Sequence, residues 1–152
     1  MYSKGVTMLE MIMVLAIGVV LIGIITSSFV TLGATQGLSG NTESVASLIR
    51  QARAMTFSSA ADLQYGVHLD TTQAVLFQGP SYSASNSSNV VVSLGSKVTI
   101  SSVTLYGGGS NIIFNRLTGE TGNYGTTTLA LVASPSVQKL IVVSPTGTVE
   151  IK

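Results

Sequence analysis

Three residues in the opening stretch MYSKGVTMLE have types and spacings that could support chemistry. Lys4 and Gly5 precede a long apolar run, and one carboxylate, Glu10, lies just inside the edge of that run. A cut after Gly5 would make Val6 the new amino terminus, with a free and positively charged amine. Glycine suits such a cut, because a residue without a side chain lets a protease approach the backbone closely. The spacing therefore suggests processing after Gly5, which would supply a cation for Glu10.

Glu10 is the residue for which an ordinary apolar helix has least use. An acid at the centre of a membrane helix costs about 2.5–3.5 kcal/mol, and less near the interface. The first turn of a helix favours an anion, and the amine of a neighbouring subunit would be a stronger partner. We therefore expect Glu10 to pair with the amino terminus of a neighbouring subunit and to set the register of a polymer. A plain membrane anchor would gain nothing from this acid.

The apolar run is long enough to cross a bilayer. No charged residue occurs from Met11 to Thr42, and about 20 apolar residues in a helix span the hydrocarbon core. An ordinary secretory signal has a shorter apolar region and ends at a cleavage site of small residues. Lys4 precedes the run and the next base is Arg50, so we expect the rest of the chain to lie outside the cytoplasm.

Catalytic chemistry finds little support in the remainder of the chain. His68 is the single histidine, and it lies between Val67 and Leu69. In a strand its side chain would point away from theirs, which predicts an outward position at the surface. One histidine among common serines does not specify a catalytic triad. The sequence therefore predicts a protein without enzymatic activity.

Neither a metal nor a cofactor is expected. The acids beyond the first helical turn are scattered and lack the spacing of a calcium-binding loop: Glu43, Asp62, Asp70, Glu120 and Glu150. The chain has no cysteine, which excludes disulfides and thiolate metal sites. The run Gly107–Gly109 lacks the lysine and the following helix of a phosphate-binding loop, so we expect a turn there.

The charge distribution argues against a nucleic-acid partner. The net charge is +1, and two acids lie among the late bases Lys97, Arg116, Lys139 and Lys152. Each phosphate contact needs a cation, so few such contacts could form. We expect Arg50 and Arg53 to contact the head or a neighbouring subunit instead. The tyrosines are interpreted as residues at the edge of the core: Tyr65, Tyr82, Tyr106 and Tyr124.

One long helix would position the residues at the amino terminus. In NTESVASLIRQARAMTF, apolar side chains recur at helical spacing and form one stripe: Val45, Leu48, Ile49, Ala52 and Met55. We therefore predict a helix over residues 6–57. Its part over about residues 6–33 would lie in a membrane or filament core, and residues 38–57 would pack on a head.

After Ser58 the hydrophobic period changes to two, which is typical of strands. About eight short strands are predicted: 65–69, 74–78, 90–94, 97–106, 111–115, 126–132, 138–143 and 148–152. Turns are predicted at residues 70–73, 107–109, 134–136 and 145–147. The predicted fold is α+β, with a long N-terminal hydrophobic helix followed by an antiparallel β-sheet or β-sandwich head over residues 58–152.

The stretch KGVTMLEM resembles the type III signal of type IV pilins and type II secretion pseudopilins. That signal has a short basic leader, a glycine, an apolar residue, a glutamate five residues after the glycine, and a long apolar helix. The resemblance implies that prepilin peptidase removes residues 1–5, with Lys4 as the leader charge, by cutting after Gly5. It also implies N-methylation of Val6, where the family usually has Phe, and assembly through Glu10.

Three later segments are similar to H-type minor pseudopilins and FimT-like minor pilins. LIRQARAMTFSSAADLQYGVHLD resembles their passage from helix to first strands, and IIFNRLTGETGN and IVVSPTGTVEI resemble their closing strands. The resemblance implies a minor filament subunit of a type II secretion or type IV pilus machine. Its partners would be other pilin or pseudopilin subunits, prepilin peptidase and an inner-membrane assembly platform.

The resemblance also implies a location and leaves two alternatives open. The chain would cross the inner membrane once, in contact with lipid and with its head outside the cytoplasm, before incorporation in a filament. One alternative is a DNA-binding FimT-like minor pilin that serves DNA uptake. The other is a plain membrane-anchored β-domain that never polymerises.

Overall fold

A computed structural model of the protein describes residues 7–152, except for the side chains of residues 24–31. A helix, α1, spans Met8–Phe57. The chain forms two compact units, of which the first ends at Ala34 and the second comprises Thr35–Lys152. Helix α1 accounts for nearly all described residues of the first unit and for the amino-terminal part of the second.

In the second unit, α1 buries one stripe of side chains. Four members of the predicted stripe are buried and the fifth, Met55, is half-buried: Val45, Leu48, Ile49 and Ala52. The stripe begins at Leu38, which is the first buried side chain among those that the structure describes. Because the described core lies wholly at Leu38 and beyond, residues 35–152 have a hydrophobic core of their own.

Two fully buried threonines complete this face of α1. A buried hydroxyl is costly unless it is hydrogen-bonded. Thr42 donates its hydroxyl to the Leu38 carbonyl oxygen at 2.7 Å, and Thr56 donates to the Ala52 carbonyl oxygen at 2.8 Å. The Thr56 hydroxyl oxygen also accepts the Tyr65 N–H at 3.0 Å, which ties the end of α1 to the first strand.

Two antiparallel sheets of four strands follow α1 in the described part of the chain, with strand orders β3-β2-β1-β5 and β4-β6-β7-β8. The strands are β1 Tyr65–Asp70, β2 Gln73–Gln78, β3 Val90–Ser93, β4 Val98–Leu105, β5 Asn111–Ile113, β6 Gly125–Leu131, β7 Ser134–Val143 and β8 Val149–Ile151. The predicted α+β fold, with an N-terminal helix and an antiparallel head, is confirmed.

The turn between β1 and β2 lies where the sequence predicts it. Asp70 faces Gln73 across the hairpin, and the Asp70 carboxylate accepts the Thr71 N–H at 2.7 Å, as turn aspartates do. The Thr71 carbonyl oxygen accepts the Ile100 N–H of β4 at 3.0 Å. This turn therefore joins the two sheets.

The prediction of a turn at residues 134–136 is wrong. Strand β7 already begins at Ser134, and the turn after β6 lies at residues 132–133. The pairing is irregular here, since Leu131 faces Ser134 whereas Ala130 faces Gln138. Pro135 lies in this bulged segment, where a residue that lacks an N–H interrupts no regular ladder bond.

Candidate functional site

The predicted processing residues Lys4, Gly5 and Val6 lie outside the described residues. The predicted assembly residue, Glu10, is exposed in the first turn of α1. A carboxylate at this end of a helix interacts favourably with the helix dipole. The site that the structure does describe is therefore the amino-terminal end of α1 and the apolar surface that follows it.

Thr7 caps this end of the helix. Its hydroxyl oxygen accepts the Glu10 N–H at 3.2 Å, and its carbonyl oxygen accepts the Met11 N–H at 3.2 Å. Thr-x-x-Glu at the start of a helix is the sequence of a capping box. We did not predict this role of Thr7, although the spacing Thr7-x-x-Glu10 is a readable signal. The cap makes Glu10 a residue of the first turn before any partner binds.

Apart from Glu10, the helix surface from Met8 to Leu21 is apolar all round. Its exposed large side chains are Met8, Leu9, Met11, Ile12, Met13, Val14, Leu15, Ile17, Val19, Val20 and Leu21. A helix on the surface of a soluble domain usually has one apolar stripe, whereas these positions lie in every direction around the axis. An exposed apolar surface of this extent marks a binding site. Counting the described residues alone, no helix is both long and apolar enough to cross a membrane.

Glycines along α1 leave room at the helix surface. A Cβ added at Gly18, Gly33 or Gly37 would meet no atom within 4 Å, so contacts within this chain do not require glycine there. Each of these glycines costs about 1 kcal/mol of helix stability relative to alanine. Small residues on an apolar helix allow a second helix to approach closely.

Arg53 fastens the carboxyl end of α1 to two turns of the head, as we expected of this residue. Its Nε donates to the Gly119 carbonyl oxygen at 3.1 Å, and its Nη2 donates to the Thr146 carbonyl oxygen at 3.1 Å. Gly147 has a φ of +77° and lies so close that an added Cβ would be 2.6 Å from Arg53 Nε. Glycine is required at this turn, both for its conformation and for the approach of the guanidinium.

Two other arginines pair with carboxylates. Arg50 Nη1 lies 2.7 Å from Glu43 Oε1, and Arg116 Nη2 lies 2.7 Å from Asp62 Oδ1. These pairs reduce the positive charge that is available to a phosphate backbone. Among the described lysines, Lys97 precedes β4, whereas Lys139 of β7 adjoins Leu140, which pairs with Lys152 through two backbone hydrogen bonds. Strand alternation directs the Lys139 and Lys152 side chains to opposite faces of the sheet.

His68 is half-buried, so the prediction of an outward surface histidine is only partly right. Strand alternation does direct it away from Val67 and Leu69. The Tyr82 ring stacks on the His68 ring with centroids 4.0 Å apart, and it meets the Phe77 ring edge-on at 5.6 Å. Alternation gives the face of a strand but does not reveal that the loop with Tyr82 covers it.

The tyrosines differ in exposure, and the described acids are not grouped. Tyr65 is buried in the core, whereas Tyr106 is exposed and stacks on Tyr124 with ring centroids 4.8 Å apart. The expectation of a core-edge position is therefore wrong for Tyr106. In the part of the chain that the structure describes, no three histidine or acidic side chains are grouped as metal ligands would be.

Comparison with solved structures identifies a likeness to the type IV minor pilin FimU of Pseudomonas aeruginosa strain PAO1. The two structures agree with a TM-score of 0.55 over 76% of this chain and 92% of that chain, at 10% sequence identity. No protein-family model matches the chain, and no curated protein matches it by sequence. A likeness at this level of identity concerns the fold. The chain therefore has the type IV pilin-like fold, as its resemblance to that superfamily predicts.

Proposed function

We propose that the protein is a structural subunit of a pilin-like filament, stored in a membrane and assembled through α1. The observation that carries this proposal is the apolar helix surface from Met8 to Leu21, which precedes a head with its own core. The fold likeness to a type IV minor pilin supports a pilin-like subunit. The finer assignment, to a minor subunit of a type II secretion or type IV pilus machine, is supported by the sequence resemblance.

Burial of this surface would hold an assembled subunit in the filament, because release into water would expose it. Burying one Val, Leu, Ile or Met side chain fully contributes about 1.5–3 kcal/mol. Relative to water, eleven exposed side chains of these types between Met8 and Leu21 offer more than association typically costs in lost freedom. Relative to the bilayer, helix packing would depend on close van der Waals contact instead. Helices of neighbouring subunits would cover this surface, and Gly18 would allow close approach.

Glu10 would give this packing its register. Apolar contact is not directional, so it does not by itself fix how far one helix slides along another. A carboxylate within an apolar bundle must find a partner. The amine of Val6 in a neighbouring processed subunit would meet this need, and the Thr7 cap would hold Glu10 in place for it.

The proposed processing makes the first test. Mass spectrometry of the mature protein should find Val6 at the amino terminus with one added methyl group. Gly5→Arg should leave the precursor uncut in the membrane, whereas the control Lys4→Arg keeps the leader charge and should be cut normally. An intact Met1 in the wild-type protein, or a cut beyond residue 20, would favour a plain anchored β-domain.

Assembly is tested separately from processing. Glu10→Ala should be cut normally but absent from filaments sheared from the cells. Glu43→Ala is the matched control, because that carboxylate pairs with Arg50 within the second unit and its loss should leave incorporation intact. Normal incorporation of the Glu10→Ala subunit would show that this acid does not set the register.

A further inference from the structure

A groove of about 420 Å³ lies at the carboxyl end of α1, within the second unit. Its lining includes Arg50, Arg53, Phe57 and Val149. Phe57 is the last residue of α1, and 59% of its surface is exposed. Aromatic and arginine side chains are enriched where proteins bind one another. The groove therefore has the composition of a protein interface.

Leu117, in the turn between β5 and β6, has an unfavourable backbone conformation. Its φ is +67°, in the left-handed region that glycine or asparagine adopts readily and leucine does not. The side chain is 71% exposed, so burial in this chain does not offset the strain. The turn around it is closed by the Gly119 N–H, which donates to the Asn115 carbonyl oxygen at 3.0 Å, and this closure holds the Leu117 side chain at the surface.

The turn that carries Leu117 borders the groove. Gly119 in this turn accepts a hydrogen bond from Arg53 Nε at 3.1 Å. A Cβ added at Gly119 would lie 3.6 Å from Phe57 Cδ2. Arg53 and Phe57 thus lie beside this turn at Gly119, and we call the groove together with the turn that carries Leu117 the arginine–apolar surface.

Arg53 supplies a positive charge to this surface. Its hydrogen-bond partners are the carbonyl oxygens of Gly119 and Thr146, which are neutral. Within residues 7–152, the recorded ion pairs engage Arg50 and Arg116 but not Arg53. A half-buried guanidinium whose hydrogen-bond partners are neutral favours a carboxylate as an additional partner.

We propose that the arginine–apolar surface binds a segment of another polypeptide in which a carboxylate stands next to an apolar side chain. The carboxylate accepts a hydrogen bond from Arg53, and the apolar side chain covers Phe57 and Leu117. In a filament this segment would belong to a neighbouring head, a placement that rests on the proposed function. The binding chemistry itself does not depend on assembly.

Nucleic acid fits this surface less well. Binding to a phosphate backbone needs several cations along a path, whereas Arg50 and Arg116 already pair with carboxylates. The exposed Leu117 side chain offers apolar contact, which suits a protein partner better than a phosphate. DNA is therefore an outcome of the test rather than the proposal.

The charge requirement can be measured on residues 35–152, which retain the whole described core. The probe is the dipeptide N-acetyl-phenylalanyl-glutamate amide, and the matched neutral probe has glutamine in place of glutamate. We expect NMR shifts at the backbone amides of Phe57, Gly119 and Thr148, with the glutamine probe binding about three- to fivefold more weakly. Equal affinity for the two probes would overturn the proposal. Tighter binding of a DNA duplex at the same amides and physiological salt would also overturn it, in favour of nucleic acid.

The strain at Leu117 provides the second test. Leu117→Gly relieves the left-handed strain, so it should raise Tm while weakening binding of the glutamate probe about fivefold. Phe57→Ala should weaken binding by a similar factor. Val132→Thr is the control, because Val132 is also exposed but lies in the turn between β6 and β7; it should change neither quantity. Unchanged binding by both Leu117→Gly and Phe57→Ala would overturn the proposal.

Discussion

Two stretches of the same helix treat their apolar side chains in opposite ways. From Leu38 to Thr56, α1 buries one stripe in the head and exposes polar residues such as Ser47 and Arg50. From Met8 to Leu21, apolar residues surround the axis and none that the structure describes is buried. Hydrophobicity alone therefore does not tell where a helix packs. Its distribution around the axis decides whether the helix finds its partner within the chain or outside it.

The largest difference in stability between the two stretches is expected when one buried or exposed apolar residue is replaced by an acid. Ile49 is fully buried, so Ile49→Asp buries an unpaired charge and should lower the free energy of unfolding of residues 35–152 by more than about 4 kcal/mol. Ile17 is exposed, so Ile17→Asp in the full chain should leave the free energy of unfolding of the second unit within about 0.5 kcal/mol of wild type. Urea unfolding followed by circular dichroism measures both.

Two outcomes would break this comparison. A wild-type unfolding curve for Ile49→Asp would show that the buried stripe is not part of the core. A destabilised head in Ile17→Asp would show that the first stretch already supports the second unit.

Glycine to alanine substitutions should change stability in opposite directions in the two units. At Gly147 the φ is +77° and an added Cβ would clash with the Gly119 carbonyl oxygen, so Gly147→Ala should cost about 2–4 kcal/mol of stability. Gly18→Ala meets no atom within 4 Å and should stabilise the local helix by about 1 kcal/mol. Urea unfolding reports the first change, and amide hydrogen exchange in detergent reports the second. Faster exchange around Ala at position 18 would contradict the assigned open surface.

The smallest effect is expected at the helix start. Thr7→Ala removes the hydroxyl that accepts the Glu10 N–H and should cost the first turn about 1 kcal/mol. Thr7→Ser keeps a hydroxyl and serves as the control. Hydrogen exchange of the Glu10 and Met11 amides should become faster in Thr7→Ala alone, with no change in the Tm of the head. Equal exchange in both variants would show that the hydroxyl does not cap the helix.

Local rules predicted most of the elements but not their arrangement. The helix stripe, the strand period and the turns at Asp70 and Gly147 follow from residues close in sequence. The division into two sheets depends on distant pairs, such as β1 with β5, which periodicity does not specify. The bulge that carries Pro135 into β7 likewise depends on its partner strand.

The same distinction applies to the sites. Glu10 could be placed in the first helical turn because its position depends on the adjacent sequence. The partners of Arg53 could not be predicted, because Gly119 and Thr146 lie in turns far along the chain. The left-handed conformation of Leu117 could not be predicted either, because leucine is not a residue type that signals this conformation. The roles of Lys4, Gly5 and Val6 stay predictions.

Arg53 also determines how a mechanical pull would travel through the second unit. Its guanidinium donates hydrogen bonds to Gly119, in the connection between β5 and β6, and to Thr146, in the hairpin between β7 and β8. The first connection runs from one sheet to the other, and the hairpin belongs to the second sheet. Tension applied along α1 would therefore reach both sheets through Arg53, in addition to the Thr56 hydrogen bond to β1 and the buried stripe. The head should then separate from its helix as one body and not one sheet at a time.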